Sequence, residues 1–406
     1  MLVEFSCANV RSIKEPVHFT MESEKDRSLK SNLIYDENFG TNYLRFAEIL
    51  GENGSGKTSF LVALSLLHDL IMTNAAMLHG QPLMRIPHKL AQNLPTAFLI
   101  TFVQNGVRFK YSLEYDNNAI LSESLYYWPG NRISLIFKRR KENYEISNNF
   151  PKLVQAAKDK IDYNKLLLVI GSQDTPYIEL KNAISFFTRD LVIYSPGPNN
   201  WLNYSAGQIA NNPAVYKKVL DFLRSLGINV AGINARLEQR PLMPNEVPFE
   251  LGEQFRQMAM SQVAVVPHIE LDYGDFCVDY NEESAGIQSL LQFLCPLFDI
   301  FENNKVFLCD EIESHLHPSA VRQIIKLFNS NQNSKAQIIL TTHDIDLLDI
   351  DILRRDQIWF SAMNSKERSS NIFRLSDLKG VRKDDNLKKN YLEGKYKKMW
   401  MEQNKK

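Results

Sequence analysis

The chain has 406 residues, of which 44% are hydrophobic and 23% are charged, and its 47 Lys and Arg balance 47 Asp and Glu. This composition is typical of a folded protein with a sizeable core, and it excludes a disordered tail protein, a collagen-like fibre and a coiled-coil rod. A net charge of zero disfavours a globally basic nucleic-acid binder. The length predicts two or three structural units.

The cysteines and the apolar runs indicate a cytoplasmic protein. The chain contains four cysteines: Cys7, Cys277, Cys295 and Cys309. They form no CxxC pair, so neither a zinc ribbon nor a disulfide framework is indicated, and we expect three of them in the core. Glu4 interrupts the first apolar stretch and disfavours a signal peptide. The longest apolar runs, Leu166–Ile170 and Gln337–Leu340, have only the length of strands, so no membrane span is predicted.

The first part of the chain predicts strands around one buried helix. Leu44–Leu50 is an apolar strand candidate, and Ser59–Met72 is apolar on nearly all sides, as in a buried helix. From Ala97 to Phe137 apolar and polar residues alternate, which predicts strands with a hairpin turn at Asn105-Gly106. Between residues 150 and 262, helical segments separated by Pro- and Asn-rich breaks predict an inserted helical subdomain.

The last part alternates strands and helices. Apolar residues at helical spacing predict a helix over Gly286–Phe301. A strand VFLCDE, a helix Pro318–Phe328 and the strands QIILTT and QIWFS follow. This alternation predicts an α/β fold with a mostly parallel sheet covered on both faces. We therefore predict an N-terminal lobe (1–149), a helical insertion (150–262) and a C-terminal lobe (263–406).

A complete phosphate-binding motif lies between the first apolar strand and its helix. Residues 51–58, GENGSGKT, match GxxxxGK[ST]. Glycines let backbone N–H groups surround an anion, Lys57 supplies a positive charge for the β- and γ-phosphates, and Thr58 offers a hydroxyl to Mg²⁺. The following helix directs the positive end of its dipole at the phosphates. The predicted cofactors are ATP and Mg²⁺, and the predicted binding residues here are Gly51, Asn53, Gly54, Ser55, Gly56, Lys57, Thr58 and Ser59.

Three further patterns accompany this loop. Asp310 and Glu311 end an apolar strand, where Asp310 is expected to hold Mg²⁺ and Glu311 to orient or deprotonate the attacking water. His343, in TTHD after the next strand, is expected to sense or stabilise the γ-phosphate. Lys57, Glu311 and His343 are thus the predicted catalytic residues. The segment ESAGIQ, before the helix that leads to the acidic strand, is a second candidate anion site through Ser284, Gly286 and Gln288.

The ordered set of motifs resembles ABC-type ATPases, specifically the SMC-like branch found in DNA repair and prokaryotic anti-phage defence. The resemblance includes a Walker A segment, a Ser-x-Gly-x-Gln signature, VFLCDE as Walker B, the ESHLHP stretch, TTHD as the H-switch, FSCANVRSI at the start and YLEGKY near the end. It implies a P-loop NTPase with a mixed sheet, a β-rich N-terminal lobe and an inserted helical subdomain. Ala285 stands where transporter ATPases have glycine, and the leading leucine is missing, which disfavours a transporter subunit.

The resemblance also implies residue roles and an assembly. ATP on one protomer would meet Ser284 and Gly286 of a second, giving a head-to-head homodimer or a higher homo-oligomer. Ser314 and His315 would lie in the loop linking the two sites, Arg11 would contact the nucleotide, and Gln104 is the candidate for the Q-loop glutamine. The interval of about 225 residues between Walker A and signature, broken by prolines, excludes a long coiled-coil arm.

Three functions remain open at this stage. About sixty residues follow His343, too few for a nuclease domain, so the first hypothesis is a sensor or scaffold that controls a separate effector, a toxin or nuclease, in anti-phage defence. A phage protein or DNA is a candidate trigger. The second is a DNA-repair ATPase that binds DNA directly, because Lys379–Lys406 has ten Lys and Arg against four acids, a charge of +6. A solvated basic helix and tail explains that charge equally well. The third is a nucleotide-gated binding module with little turnover.

Overall fold

The computed structural model describes residues 1–160, 162–194, 201–243, 263–314, 316–330, 333–382 and 385–404. The chain forms two compact units. The first consists of residues 1–195, 301–313 and 322–406, and the second of residues 196–300 and 314–321. The second unit is therefore an insertion in the sequence of the first. The boundaries predicted at 150 and 262 differ from these, and the segment between them also contains strands.

Eighteen strands lie in the described part of the chain. In chain order they are β1 (Leu2–Ala8), β2 (Val17–Thr20), β3 (Leu33–Asp36), β4 (Thr41–Leu44), β5 (Phe46–Leu50), β6 (Thr96–Gln104), β7 (Val107–Tyr115), β8 (Ile120–Trp128), β9 (Ser134–Arg140), β10 (Asn143–Ile146), β11 (Leu191–Tyr194), β12 (Gly232–Pro241), β13 (Val263–Asp272), β14 (Cys277–Asp279), β15 (Val306–Cys309), β16 (Gln337–Thr342), β17 (Ile358–Asn364) and β18 (Ser369–Arg374).

The helices are fewer and mostly short. They are α1 (Lys57–Asn74), α2 (Pro151–Lys160), α3 (Leu167–Asp174), α4 (Ile178–Ser185), α5 (Trp201–Asn211), α6 (Pro213–Ser225), α7 (Ala285–Glu302), α8 (Pro318–Ser330), α9 (Leu387–Leu392) and α10 (Lys395–Gln403). The predicted helices at 59–72, 286–301 and 318–328 correspond to α1, α7 and α8. No helix in the described ranges is long and apolar enough to cross a membrane.

An antiparallel sheet of seven strands forms the β-rich lobe of the first unit. Its strand order is β10-β9-β8-β7-β6-β1-β2. The predicted turn at Asn105-Gly106 joins β6 to β7, and both residues have positive φ, as a two-residue hairpin turn requires. Apolar side chains alternate along these strands and pack into the core of the unit, as the sequence pattern predicts.

A second sheet of six strands, in the order β11-β15-β16-β5-β17-β18, positions the phosphate-binding loop. All its pairings are parallel except that of β17 with β18. Strands β5, β15 and β16 are buried along their whole length, which explains their continuous apolar sequences. Parallel strands end at one edge of a sheet, so the loop after β5 and the acids after β15 lie at the same edge.

The two faces of β5 differ. Ala47 and Ile49 belong to the same apolar cluster as Phe60 and Leu64 of α1. Glu48, between them, points to the opposite face because successive side chains alternate along a strand. Glu48 has no exposed surface, and it forms an ionisable exception inside an otherwise apolar strand.

The apolar run Leu166–Ile170 is not a strand. It leads into helix α3, which agrees with the helical segments predicted between residues 150 and 262. The Glu123 side chain of β8 accepts hydrogen bonds from the backbone N–H groups of Leu167 and Leu168, at 2.7 and 2.9 Å. A carboxylate at this position caps the free N–H groups of a helix and favours its dipole. This tertiary contact explains why a short apolar run, ambiguous by itself, is helical.

The second unit combines helices and a small antiparallel sheet. Asn212 caps α6 by accepting hydrogen bonds from Ala214 and Val215, with Pro213 at the first helical position. Strands β12, β13 and β14 form a sheet in that order. Helix α7 begins in this unit. Of the four cysteines, Cys7, Cys295 and Cys309 are buried, as expected, and Cys277 is exposed.

Candidate functional site

The loop between β5 and α1 has the backbone of an anion-binding turn. Gly54 has a φ of 77° and Gly56 a φ of 108°, conformations that side chains with a Cβ rarely adopt. A Cβ at Gly56 would also overlap the Ser370 Oγ, and one at Gly51 would overlap the Ser55 Oγ. Gly54 is therefore required by its conformation, Gly51 by the space around it and Gly56 by both. Helix α1 begins at Lys57, directly after the loop.

Lys57 spans the inside of this loop. Its side chain is buried, and Nζ donates hydrogen bonds to the carbonyl oxygens of Gly51 at 2.8 Å and Glu52 at 3.4 Å. Burial lowers the pKa of Lys57, while the carboxylates of Glu311, Glu313 and Asp310 act in the opposite direction. The predicted lysine and the predicted acidic pair are thus brought together at the edge of the sheet.

Thr341 holds the two acids in place. Its Oγ1 accepts a hydrogen bond from the backbone N–H of Glu311 at 2.9 Å and donates one to the Asp310 carboxylate. Glu311 has a φ of 46°, a strained conformation for a residue with a side chain. Thr341 was not among the predicted site residues, although its place at the end of the strand beside β15 is a usable signal.

His343 is paired with Glu313, a third acid that follows β15. The backbone N–H of His343 donates to Glu313 Oε1 at 2.6 Å, and His343 Nδ1 lies 2.8 Å from the same oxygen. The imidazole is half exposed, whereas the Glu313 side chain is almost buried. Glu313 was not among the predicted site residues. It lies in the 3₁₀ helix Ile312–Ser314, and His315 lies outside the described residues.

A cleft of about 940 Å³ opens beside the loop. Its volume is in the range of small-molecule sites. Predicted residues that line it are Arg11, Gly54, Gly56, Lys57, Thr58, Ser59 and Glu311. Residues 85–90 and 366–368 also line the cleft, and no role was predicted for them from the sequence.

The charge of the cleft fits a triphosphate with a divalent cation. Its lining contains six Lys and Arg and two acids: Arg11, Lys57, Arg85, Lys89, Lys366, Arg368, Glu311 and Glu367. Positive charge and backbone N–H groups suit phosphate oxygens, whereas the Thr58 hydroxyl and a nearby carboxylate are oxygen ligands of the kind Mg²⁺ prefers. Ser55 also places a buried Oγ in the loop, which has no hydrogen-bond partner within the described ranges.

Serine side chains support the loop from β18 and from the turn after β1. Ser370 Oγ donates to Ser12 Oγ at 2.8 Å, which donates to Ser59 Oγ at 2.7 Å. Ser361 Oγ donates to the carbonyl oxygen of Ser55 at 3.0 Å. The contacts of Ser370 with Ser12 and of Ser361 with Ser55 join residues more than 300 positions apart in the sequence, and no local pattern predicts them.

A smaller cavity of about 350 Å³ borders another part of the loop. It is lined by Asn53 and Ser55 together with aromatic residues of β17, β18 and the C-terminal helices, including Phe360, Tyr391 and Tyr396. The rings of Tyr391 and Tyr396 stack on Phe360 at centroid distances of 5.5 and 5.0 Å. The YLEGKY segment is thus placed beside the P-loop.

The signature residues lie in the second unit. Ser284 precedes α7, and its Oγ accepts a long hydrogen bond of 3.4 Å from the Ile287 N–H. Gly286 is exposed, with open space where a Cβ would be. Gln288 Nε2 donates to the carbonyl oxygens of Tyr280 and Glu283, at 2.9 and 3.0 Å. The beginning of α7 is therefore a capped and accessible helix N-terminus.

The proposed position of the Q-loop glutamine is wrong. Gln104 is buried, and its amide donates to Ser185 Oγ at 3.0 Å and to Asp190 Oδ2 at 2.6 Å. It lines a different cavity, with Met1 and Asp36, and is not among the residues that line the P-loop cleft. The position of Gln104 at the end of β6, with its amide held by Asp190, assigns it a structural role.

The fold and the loop geometry define a mixed α/β P-loop ATPase. The family model described as "AAA domain, putative AbiEii toxin, Type IV TA system" matches residues 46–351, about three quarters of the sequence. The chain belongs to this AAA_21 family of ABC- and SMC-like ATPases. The ATPase family predicted from the motifs is thereby confirmed. No curated protein matches the sequence at a significant level.

Solved SMC head structures are similar to the chain at low sequence identity. An SMC head bound to the C-terminal winged-helix domain of ScpA has a TM-score of 0.42 and 16% identity, covering 92% of this chain and 97% of that one. The SMC head of Thermotoga maritima has a TM-score of 0.40 and 13% identity, with coverage of 92% and 98%. An SMC head with an extended coiled coil, bound to the C-terminal domain of ScpA derived from Pyrococcus furiosus, has a TM-score of 0.36 and 14% identity, with coverage of 92% and 96%.

Proposed function

We propose that this protein binds ATP and Mg²⁺ in the P-loop cleft and hydrolyses ATP. The observation that carries the proposal is the convergence of Lys57, Thr58 and the Thr341-bridged pair Asp310–Glu311 at one edge of the sheet. The loop N–H groups and Lys57 would bind the β- and γ-phosphates, and Thr58 and Asp310 would hold Mg²⁺. Bound Mg²⁺ supplies positive charge that spreads the developing negative charge.

The Glu311 carboxylate is the proposed base. Its backbone N–H is bound by Thr341 and the residue lines the cleft, where the carboxylate would orient the attacking water and accept its proton. His343, held by Glu313, would contact the γ-phosphate. Lys57, which is already in place inside the loop, would stabilise charge on the transferred phosphoryl group.

Replacement of Lys57 by alanine tests nucleotide binding. Lys57→Ala removes about two charge-assisted hydrogen bonds to phosphate, each worth roughly 1.5–3 kcal/mol. We expect the ATP dissociation constant, measured by isothermal titration calorimetry, to rise by about 100-fold or more. Lys398→Ala, at an exposed lysine of α10, is the matched control and should bind like the wild type. Unchanged binding by a folded Lys57→Ala variant would contradict the proposed site.

We further propose that nucleotide turnover controls a separate effector, a toxin or nuclease, in anti-phage defence. The description of the family, which names a toxin and a type IV toxin–antitoxin system, supports this role. The accessible N-terminus of α7 supports a partner surface at the signature. Affinity purification of the tagged protein from its host, with ATP and without, tests it: an effector retained in only one nucleotide state is expected. No nucleotide-dependent partner would contradict effector control.

Direct DNA binding is the alternative function, and the positive charge of the C-terminal helix favours it. Lys395, Lys397 and Lys398 are exposed on α10 and form a cluster of positive charge at the C-terminal helix. A repair ATPase would bind DNA with strong salt dependence. Replacing these three lysines by glutamine would then reduce the slope of the logarithm of the binding constant against the logarithm of the salt concentration by about three. Absence of salt-dependent binding favours the sensor and scaffold role. A nucleotide-gated binding module would instead bind ATP tightly and hydrolyse it hardly at all.

A further inference from the structure

The Glu313 carboxylate contacts His343 in two ways through one oxygen. Oε1 accepts the backbone N–H of His343 at 2.6 Å and lies 2.8 Å from its Nδ1. The other oxygen, Oε2, is buried without a hydrogen-bond partner among the described residues. The polar contacts that the structure shows for this carboxylate are thus both with His343. Within the described ranges, the hydrogen bond of Glu313 is thus directed to the residue that carries the candidate imidazole.

This geometry determines the protonation pattern of the ring. A carboxylate oxygen only accepts hydrogen bonds, so the nitrogen that faces it must carry a proton. Nδ1 of His343 is then the protonated nitrogen, and Nε2 is left for another partner. Because the same oxygen also binds the backbone N–H, it restrains the main chain and the ring together. A carboxylate behind a histidine commonly fixes the orientation of the ring in this way.

The pair lies near the phosphate-binding lysine. Glu313 is one of the carboxylates that act on Lys57, together with Glu311 and Asp310. Glu313 is also only two residues from Glu311 in the sequence, and His343 is two residues from Thr341, the residue that bridges the acidic pair.

We propose that Glu313 is a positioning residue for ATP hydrolysis, which holds the His343 imidazole with Nδ1–H toward itself and Nε2 available to the γ-phosphate. The inference rests on the proposed ATPase function. Glu313 does not touch the nucleotide in this scheme. It acts through His343, so its removal should affect the rate of hydrolysis and not the affinity for ATP.

Steady-state kinetics of a double-mutant cycle tests the rate effect. We expect Glu313→Ala to lower kcat by about 10- to 100-fold, the effect of losing a carboxylate that orients a metal-ligating histidine, with KM nearly unchanged. Glu313→Gln retains an oxygen that can accept the backbone N–H of His343 and face Nδ1, and it should recover most of the rate. In a His343→Ala background, Glu313→Ala should cause no further loss. A full additional loss in that background would show a structural role and overturn the inference.

Nuclear magnetic resonance of ¹⁵N-histidine in the nucleotide-free protein tests the ring directly. The His343 signal, assigned by its loss in His343→Ala, should show a protonated Nδ1 in the wild type and a change of tautomer in Glu313→Ala. An unchanged signal would overturn the inference even if the protein hydrolyses ATP. If the signal changes in Glu313→Ala but the wild type hydrolyses no ATP, the positioning of the ring by Glu313 stands and the proposed ATPase function is overturned.

Discussion

Glu311 combines a strained backbone with a defined partner. Its positive φ is a conformation that residues with side chains adopt rarely and at a cost of order 1–3 kcal/mol. The hydrogen bond from its N–H to Thr341 helps to maintain that conformation, and the same hydroxyl binds Asp310. One side chain thus fixes both acids. Such strain is frequent where a reactive group must be held in one orientation.

Glu311→Gln should separate hydrolysis from binding. The amide is isosteric with the carboxylate but cannot accept a proton, so we expect kcat to fall by about 10²- to 10⁴-fold, the usual contribution of a general base. The dissociation constant for ATP should stay within about threefold, because Lys57 and the loop are unaffected. Phosphate release with a fluorescent sensor measures the first quantity and calorimetry the second. Wild-type turnover by this variant would refute Glu311 as the base.

Thr341→Val should slow hydrolysis through both acids. Valine has nearly the same shape, but it removes the acceptor of the Glu311 N–H and the donor to Asp310, at a cost of about 1 kcal/mol for each bond. We expect kcat to fall by about tenfold or more and the Mg²⁺ concentration for half-maximal activity to rise. Thr341→Ser keeps the hydroxyl and is the control. Equal activities of the valine and serine variants would contradict the bridge.

At the scale of elements, β5 carries an unusual buried acid. Burial raises the pKa of Glu48 to about 8, and the nearby Asp344 and Glu313 act in the same direction. Among the described residues neither carboxylate oxygen of Glu48 has a hydrogen-bond partner. An unpartnered polar group inside a central strand is costly, so β5 is expected to limit the stability of this sheet.

Glu48 should make stability depend on pH. The folded protein keeps its proton up to about pH 8, whereas the unfolded chain releases it near 4.5. The folded state therefore binds more protons between these values, and this contribution to the free energy of unfolding is lost as pH rises through the window, by up to about 1.4 kcal/mol per unit. Urea unfolding of wild type and Glu48→Gln between pH 5 and 8 measures it.

The Glu48→Gln variant should lack this part of the pH dependence. It should also be more stable than the wild type at pH 8, because glutamine carries no charge to bury. Glu48→Met, which removes the unpartnered oxygens, serves as a second variant that does not titrate. Identical pH dependences of all three proteins would show that Glu48 does not titrate in this range.

At the scale of the whole molecule, the nucleotide cleft and the signature belong to different units. The P-loop, Asp310 and His343 lie in the first, and Ser284 and Gly286 lie in the inserted second unit. The signature is exposed at the beginning of α7, which is a capped and accessible helix N-terminus. Following the resemblance to ABC-type ATPases, we propose a dimer in which the signature of one protomer binds the γ-phosphate held by the other.

ATP should therefore trap a dimer of the Glu311→Gln variant. We expect light scattering after size exclusion to show a doubled mass with ATP and Mg²⁺, because binding without hydrolysis holds the two protomers together. Adding Ser284→Arg should prevent it, since the larger side chain blocks the helix N-terminus. Ser225→Arg, at an exposed serine of the same unit, is the control for the added charge. A dimer that survives Ser284→Arg would exclude the signature from the interface.

The net charge of zero is not evenly distributed along the chain. The balanced total conceals a charge of +6 over residues 379–406, part of which lies on α10. Not all of these lysines are available, because Lys388 forms an ion pair with Asp346 at 2.7 Å. Replacement of the exposed lysines of α10 would therefore distinguish a DNA-binding surface from a solvated helix.

The sequence by itself determined the class of the site. Glycines at fixed positions, a lysine at the start of a helix and acids at the end of an apolar strand are local requirements of backbone conformation and charge, so a motif encodes them completely. The strands β5, β15 and β16 and the helices α1, α7 and α8 were predictable for the same reason, since continuous apolar runs and helical spacing are local patterns.

Only the tertiary structure decided what supports the site. Thr341 on Asp310 and Glu313 on His343 are contacts at the ends of β15 and β16, which parallel pairing brings together, whereas Ser370 on Ser12 joins β18 to the turn after β1. The helical state of the run at 166–170 depends in the same way on Glu123 of β8. Gln104 was misassigned because its partner, Asp190, is 86 residues away. Hydrogen bonds between such segments depend on the packed sheet, and no local pattern contains that information.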